Sequence, residues 1–321
     1  MVHHLLSSPV PDGGGWESFE ALVHKYGIVP QHAMNESAST KSTETIASVL
    51  NELLLQVARR IRAGTAHESV DGAMKRVHRL LCVCFGVPPK EFVWTFERKA
   101  SGNADATTPS PDVQSVVMSP LQLFHACNLI LPTSTVMLSH VPSKDTHKQY
   151  VVECFQTVLG GRDPKPFVNV DESTFRGAIY NTVRASTPVW FACEFDADRT
   201  GSGGLLHHDL LRYERVVGEP LERDKKARLE ARAVDINHAM LITGYHEEHS
   251  SVVRWQVENS HGTEQTDGYL AMSDEWLRRH VYTVVVPRHM VPNLPWSMET
   301  VRVPPWDVFG QVARVGRKKN R

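Results

Sequence analysis

No stretch of this 321-residue chain approaches the roughly 18 consecutive apolar residues of a membrane-spanning helix. The opening residues, Met1-Val-His-His-Leu-Leu-Ser-Ser-Pro9, also lack the apolar run of a secretory leader. An excess of one charge is missing too. Lys and Arg number 35 against 36 Asp and Glu, and the formal net charge of -1 excludes a globally basic nucleic-acid binder, leaving only local patches. Cysteine is scarce: the five thiols, at 82, 84, 127, 154 and 193, make neither an even disulfide framework nor a CxxC pair with metal-ligand spacing. Cys82 and Cys84 lie in the apolar run Leu80-Leu-Cys-Val-Cys-Phe85 and read as buried, inert thiols. These absences point to a cytoplasmic protein with no membrane partner, no metal and no cofactor.

Three partial motifs fail for want of one element each. Gly13-Gly-Gly15 has no strand before it and no Gly-Lys-Ser/Thr after it, so it reads as a turn instead of a phosphate loop. His207-His208-Asp209 offers adjacent side chains that do not converge on one ion, and reads as a loop or helix start. His246-Glu-Glu-His249 spaces its histidines three apart where a zinc-peptidase helix needs four, and reads as a turn.

What is present is an ordinary globular composition, 41% hydrophobic, with enough residues to bury a substantial core. A short helix is expected over 16–25, stopped by Gly27. Ile46, Val49, Leu50, Leu53, Leu54, Val57, Ala58 and Ile61 recur at three and four residues, which predicts a helix over 42–62, and a second follows over 70–85. Their interleaved Arg59, Arg60, Arg62, Lys75, Arg76, His78 and Arg79 read as a solvated face. Residues 87–96 suggest a turn leading into a strand, and 99–115, rich in Ser, Thr, Pro, Gly and Asp, a surface loop. Ser119-Pro120 opens a helix, Tyr150 to Val152 an apolar segment, and Asp171 caps a helix to 185. Pro188-Val-Trp-Phe-Ala-Cys-Glu-Phe195 reads as a buried strand. After it come strands at 269–272 and 281–286, with a helix capped by Ser273 between them.

The chain is organised around Asp235 to Gly262. Two arms rich in β-branched and aromatic residues, 235–245 and 252–262, flank the polar run 246–251, a pattern that predicts a β-hairpin. With 246–251 as the loop, Tyr245 faces Val252 and His238 faces Asn259, close enough for imidazole and carboxamide to meet. An imidazole that takes a proton from a nucleophile needs one nitrogen free and the other held by an acceptor, which an Asn oxygen provides. A lone His beside a lone Asn is ordinarily a structural pair. The flanking residues are what single this one out.

Asn237-His-Ala-Met240, Trp255-Gln-Val-Glu-Asn-Ser-His-Gly262 and Gly268-Tyr-Leu-Ala-Met-Ser-Asp-Glu-Trp276 resemble, in that order, the C-terminal half of the bleomycin hydrolases, the papain-like cysteine aminopeptidases also called aminopeptidase C. Asp12-Gly-Gly before an aromatic helix and Lys25-Tyr-Gly-Ile-Val-Pro30 resemble segments that lie downstream of the family's nucleophile. The resemblance runs from about residue 8 to 313 and implies an α+β, papain-like fold, incomplete at its N-terminal side and carrying an inserted helical hook region. It further implies His238 as catalytic base, Asn259 as its orienter, peptide substrates and a homohexameric ring. The resulting segments are 1–40, the rest of an N-terminal catalytic part; 41–117, the hook and its loop; 118–187, a mixed segment; 188–290, the β-barrel half with His238 and Asn259; and 291–321, a C-terminal arm and basic tail.

Departures from the family are specific. None of the five cysteines follows a Gln in the manner of a papain-like nucleophile at a helix N-terminus, so thiolate and oxyanion-hole Gln are both missing. His261 stands where the family carries the Trp that shields the His and Asn pair. The tail 314–321 overruns the family's chain end, whose carboxylate binds the substrate amino group. The chain is therefore expected to be inactive alone, as a gene model shortened at an internal Met, a pseudoenzyme, or a chain completed by a separate subunit. A non-catalytic oligomeric protein with weak nucleic-acid affinity in the tail is the competing reading.

Overall fold

The computed structural model describes residues 2–7, 9–10, 13–65, 70–98, 112–127, 135–153, 165–199, 204–221, 224–260, 267–295 and 297–313. The chain divides into two compact units, one of residues 6–10 and 20–130, the other of residues 1–5, 11–19 and 131–321.

After a short α1 (Val2–Ser7), α2 (Trp16–Tyr26) stops where expected. Gly27 takes a left-handed φ of 80°, and a Cβ there would overlap the Pro120 carbonyl, so only glycine serves. The predicted helix pair forms as α3 (Glu44–Arg62) and α4 (Val70–Phe85). Of α4 only Ala73 is buried, which corrects one expectation: Cys82 and Cys84 are half-exposed, and the Cys82 thiol lies 3.6 Å from His78 Nε2. β1 (Phe92–Arg98) pairs antiparallel with β2 (Asp112–Met118) along their whole lengths. Strand thus begins inside the stretch expected as loop, where Val113, Val116 and Val117 override the polar composition; residues 99–111 lie outside the described ones. α5 (Pro120–Ala126) opens on a capping box, Ser119 Oγ accepting from Gln122 N at 3.2 Å while Gln122 Oε1 accepts from Ser119 N at 2.7 Å.

The second unit is built on β3 (Thr135–Ser139), β4 (Lys148–Val152), β5 (Phe167–Asn169), α6 (Glu172–Arg184), β6 (Val189–Cys193), β7 (Leu205–Leu206), α7 (Glu214–Val217), α8 (Lys225–Glu230), β8 (His238–Glu248), β9 (Ser251–Glu258), β10 (Tyr269–Ser273), α9 (Asp274–His280), β11 (Val281–Pro287), β12 (Thr300–Val303) and α10 (Val308–Val312). One ten-stranded sheet runs in the order β12-β4-β5-β3-β11-β6-β8-β9-β10-β7. From β3 through β11, β6, β8 and β9 to β10 every pairing is antiparallel, as the sequence suggests. Parallel pairs, β3 with β5, β4 with β12 and β7 with β10, add to this antiparallel set and make the whole a mixed sheet.

All seven residues of β11 are buried because both faces of the sheet are covered. Val281, Val284 and Val286 join Phe191, Met240 and Ile242 on one face, against Phe175, Ile179 and Val183 of α6 and Trp276 and Leu277 of α9. Tyr282 and Val285 join Met137, Ala192 and Tyr150 on the other, against Leu229 of α8 and Phe309 and Val312 of α10. α6 starts on Asp171, which accepts from Thr174 N at 2.8 Å. Burial alone would raise the Asp171 carboxyl, but hydrogen bonds from Ser173 and Thr174 outweigh it and hold it below the usual carboxylate range. The arm before the tail is fixed by α10, where Phe309 stacks on Tyr150 at 4.3 Å. Among the described residues no helix is long and apolar enough to cross a membrane.

Candidate active site

The hairpin predicted from 235–262 forms, but its turn is tighter and its register different. β8 continues through His246 and Glu248 to a two-residue turn at His249 and Ser250, both with positive φ (49° and 63°), the pairing that matches strand twist in a type I′ turn. The run 246–251 is therefore mostly strand. Its side chains alternate outward, with His246 Nε2 3.1 Å from Glu248 Oε1, so absence of apolar residues marked an exposed ladder end and not a loop. Tyr245 pairs with Trp255 instead of Val252, and the ladder ends at Leu241↔Glu258 after two register shifts. Carried one residue further, Asn259 lies against Met240, two residues from His238 and on the same face. His238 and Asn259 are thus diagonal, not directly opposed. Long side chains still meet across a diagonal.

They do meet. His238 Nε2 is 2.8 Å from Asn259 Oδ1. The same oxygen accepts from Ser260 N at 2.9 Å, and a backbone N–H can only donate, so the oxygen and not the amide nitrogen of Asn259 faces the imidazole. In the neutral ring Nε2 must then carry the hydrogen. Nδ1 is left as the basic nitrogen. The backbone holds both ends of the pair: His238 sits opposite Cys193 in the β6–β8 ladder, and Asn259 N donates to Gly268 O at 2.9 Å. His261, expected to weaken the shielding of the pair, lies outside the described residues.

Sequence reasoning overlooked the ring beside this pair and several buried charged groups elsewhere in the same unit. The Phe195 ring lies 4.6 Å from the His238 ring, and Asn237 clips the turn that carries it. Glu194 is buried and accepts from Arg228 Nη2 through both oxygens at 2.8 Å, with His280 Nδ1 3.4 Å away. Lys225 is buried at the start of α8, its Nζ donating to Val281 O at 2.6 Å and lying 4.6 Å from the Tyr282 ring centre. Burial pushes Lys225 down to about 7, and burial together with the Lys225 charge takes His140 down to about 3. The only sequence signal for these contacts was Asn237 in the quoted motif and Phe195 at the end of a predicted strand.

None of the described cysteines has the setting of a thiolate nucleophile. Cys82 and Cys84 fall in the last turns of α4, and Cys127 is the C-cap of α5. Cys193 is wholly buried in β6, where burial pushes its thiol up, reinforced by the Glu194 and Asp196 charges. Cys154 lies outside the described residues. His207 and His208 stack at 4.5 Å in a turn after β7, and no His, Cys, Asp and Glu cluster among the described residues is arranged for a metal ion. A 710 Å³ open groove lies over β8, β9 and β10, lined by Tyr245, Arg254, Trp255 and Tyr269 among others.

An imidazole held by a carboxamide, on a mixed sheet flanked by helices, is an arrangement of the kind nucleophilic hydrolases use. The chain matches the Peptidase C1-like family over residues 1–310 and belongs to it. It is similar to bleomycin hydrolase of Rattus norvegicus, 30% identical over 330 residues covering 98% of this chain and 71% of that protein. Aminopeptidase C of Lactococcus lactis subsp. lactis is 28% identical over 321 residues, 96% of this chain and 71% of that one. The crystal structure of PepW from Lactobacillus rhamnosis shares the fold, with a TM-score of 0.80 at 24% identity over 96% of this chain and 71% of that chain. The expected papain-like cysteine-peptidase fold therefore holds.

Proposed function

We propose that this chain carries the general base, His238, and its orienter, Asn259, of a cytoplasmic cysteine aminopeptidase that cleaves N-terminal residues from peptides and related amide bonds. The observation that carries the reading is the 2.8 Å contact of Nε2 with an oxygen already fixed by Ser260, which makes Nδ1 the basic nitrogen of the neutral ring. A thiol proton passes to Nδ1 as sulfur attacks the substrate carbonyl carbon. The C–N bond then breaks, the leaving amine takes the proton from the imidazolium, and water releases the acyl group from sulfur. Similarity to bleomycin hydrolase and aminopeptidase C supports this chemistry and peptide substrates.

None of the five cysteines follows a Gln in the manner of a papain-like nucleophile, and none of the described ones sits at a helix N-terminus, so turnover of an aminoacyl fluorogenic amide is expected only when a segment bearing the Gln and Cys pair is provided. General-base help alone is worth about 10²- to 10⁴-fold, well short of a covalent route. With that segment present, His238→Ala should abolish turnover and Asn259→Ala should reduce it. Turnover unaffected by His238→Ala would overturn the base assignment. Turnover by the chain alone that is lost on thiol alkylation would overturn the missing-thiolate assignment.

A second reading concerns assembly, and the exposed apolar side chains of one unit favour it. Val70, Met74 and Val83 of α4 and Val93, Val113 and Val117 of β1 and β2 are each at least half exposed. A homohexamer is the assembly that the family resemblance implies.

A further inference from the structure

We infer that Phe195 is a positioning residue for His238, an aromatic wall that holds the imidazole with Nε2 toward Asn259 and keeps water from one side of the ring. The inference rests on the proposed role of His238 as base. Cys193 opposes His238 in the β6–β8 ladder, so the residue two positions on falls diagonal to His238 on the same face. There the Phe195 ring centre lies 4.6 Å from that of the imidazole, tilted 41°, and the side chain is 7% exposed.

The turn after β6 is built to put it there. Asn237, the residue before His238, uses its whole side chain on this turn: Oδ1 accepts from Phe195 N at 2.9 Å and Nδ2 donates to Asp196 Oδ2 at 2.7 Å. Asn237 N donates to Cys193 O at 3.1 Å. The Arg199 guanidinium lies 4.5 Å from the Phe195 ring centre and its Nη2 donates to Asp196 Oδ1 at 3.0 Å, so Asp196 ties Asn237 to the cation above the ring. The clip and the catalytic imidazole are consecutive residues. Any shift of Asn237 therefore moves both the ring and the group it covers.

The physical need is plain. An imidazole turns about its last side-chain torsion, and half a turn puts carbon Cε1 where Nε2 faced Asn259 and carbon Cδ2 where Nδ1 stood, so the hydrogen bond and the placement of the basic nitrogen are both lost. A single hydrogen bond exposed to water resists that rotation weakly, because water replaces the partner lost. A rigid ring packed beside the imidazole, tilted 41° to it, obstructs the rotation and, by excluding water, strengthens the bond that remains. An aliphatic side chain of similar bulk fills the space without that rigid ring contact.

The test is ¹⁵N NMR of the imidazole of His238 in the full chain, assigned with His238→Gln. The wild type is expected to show one tautomer, protonated at Nε2, with a slowly exchanging Nε2–H. Phe195→Leu is expected to lose that signature and give averaged nitrogen shifts, while Phe195→Tyr restores it. Asn237→Ser, which keeps Phe195 but removes the clip that holds its turn, is expected to act in the same direction as Phe195→Leu. A purely space-filling role predicts the opposite: the wild-type pattern in Phe195→Leu and in Asn237→Ser overturns the inference. If Phe195→Leu unfolds the chain, the Asn237→Ser spectrum decides alone. These spectra do not depend on turnover, so an inactive assembly with an intact tautomer response would count against the proposed activity and not against the positioning.

Discussion

At the scale of single residues, the second unit holds more charge out of water than its sequence suggested. Lys225 is held at about 7 by burial, whereas an unfolded lysine titrates near 10.5. Between these values the unfolded chain binds a proton that the folded chain does not, so this lysine's contribution rises with pH through that window and is lost as pH falls toward 7. Full protonation costs on the order of 4 kcal/mol relative to high pH. Lys225→Met gives up the bond to Val281 O, worth about 1 kcal/mol net, and removes that penalty. Urea unfolding should therefore show the variant more stable than wild type at pH 6, with the difference shrinking toward pH 10. A difference that grows with pH would mean that Lys225 finds a compensating anion. Glu194 makes the contrasting case: Glu194→Ala leaves Arg228 without its buried carboxylate and is expected to destabilise the fold by about 3 kcal/mol at neutral pH, readable as a lower urea midpoint.

At the scale of elements, local chemistry decides where helices and strands start and stop. Removing the hydroxyl of Ser119 takes away the acceptor for Gln122 N and leaves only the Gln122 side chain on Ser119 N, so Ser119→Ala is expected to cost about 1 kcal/mol in chemical denaturation. The hairpin turn runs the other way. His249 and Ser250 both occupy positive φ, which side chains resist, so the double substitution His249→Asn, Ser250→Gly should stabilise by about 1 kcal/mol and raise the melting temperature. No gain would mean that the turn is held by contacts outside the hairpin.

At the scale of the whole molecule, the question is what covers the apolar side chains of α4 and of the β1–β2 ribbon. If they meet copies of the same chain, light scattering at micromolar concentration should give a monodisperse hexamer, and Val83→Asp with Val117→Asp should lower the mass. A clean wild-type monomer removes the assembly reading. The basic tail belongs at this scale as well, since five of its eight residues are Arg or Lys. Deleting 314–321 should leave retention on DNA at low salt unchanged; a loss of retention would instead favour a nucleic-acid contact in the tail.

Periodicity and end signals by themselves determined α3, α4, α5 and α6, because amphipathic spacing and a capping side chain are local properties of consecutive residues. The motifs around Asn237, Asn259 and Gly268 likewise singled out His238 and Asn259 before any distance was known. Register was not local. Two bulges and a two-residue turn shifted the β8–β9 pairing, so the pair met along a diagonal although it was expected directly across. Only the tertiary structure decided that Phe195 lies on the imidazole and that Lys225 is buried beside Tyr282. Both depend on strands far apart in sequence being neighbours in one sheet. The reason is physical: caps and amphipathic faces act within a few residues, whereas burial and ring contacts are set by which strands pair, and many pairings satisfy the same hydrophobic pattern.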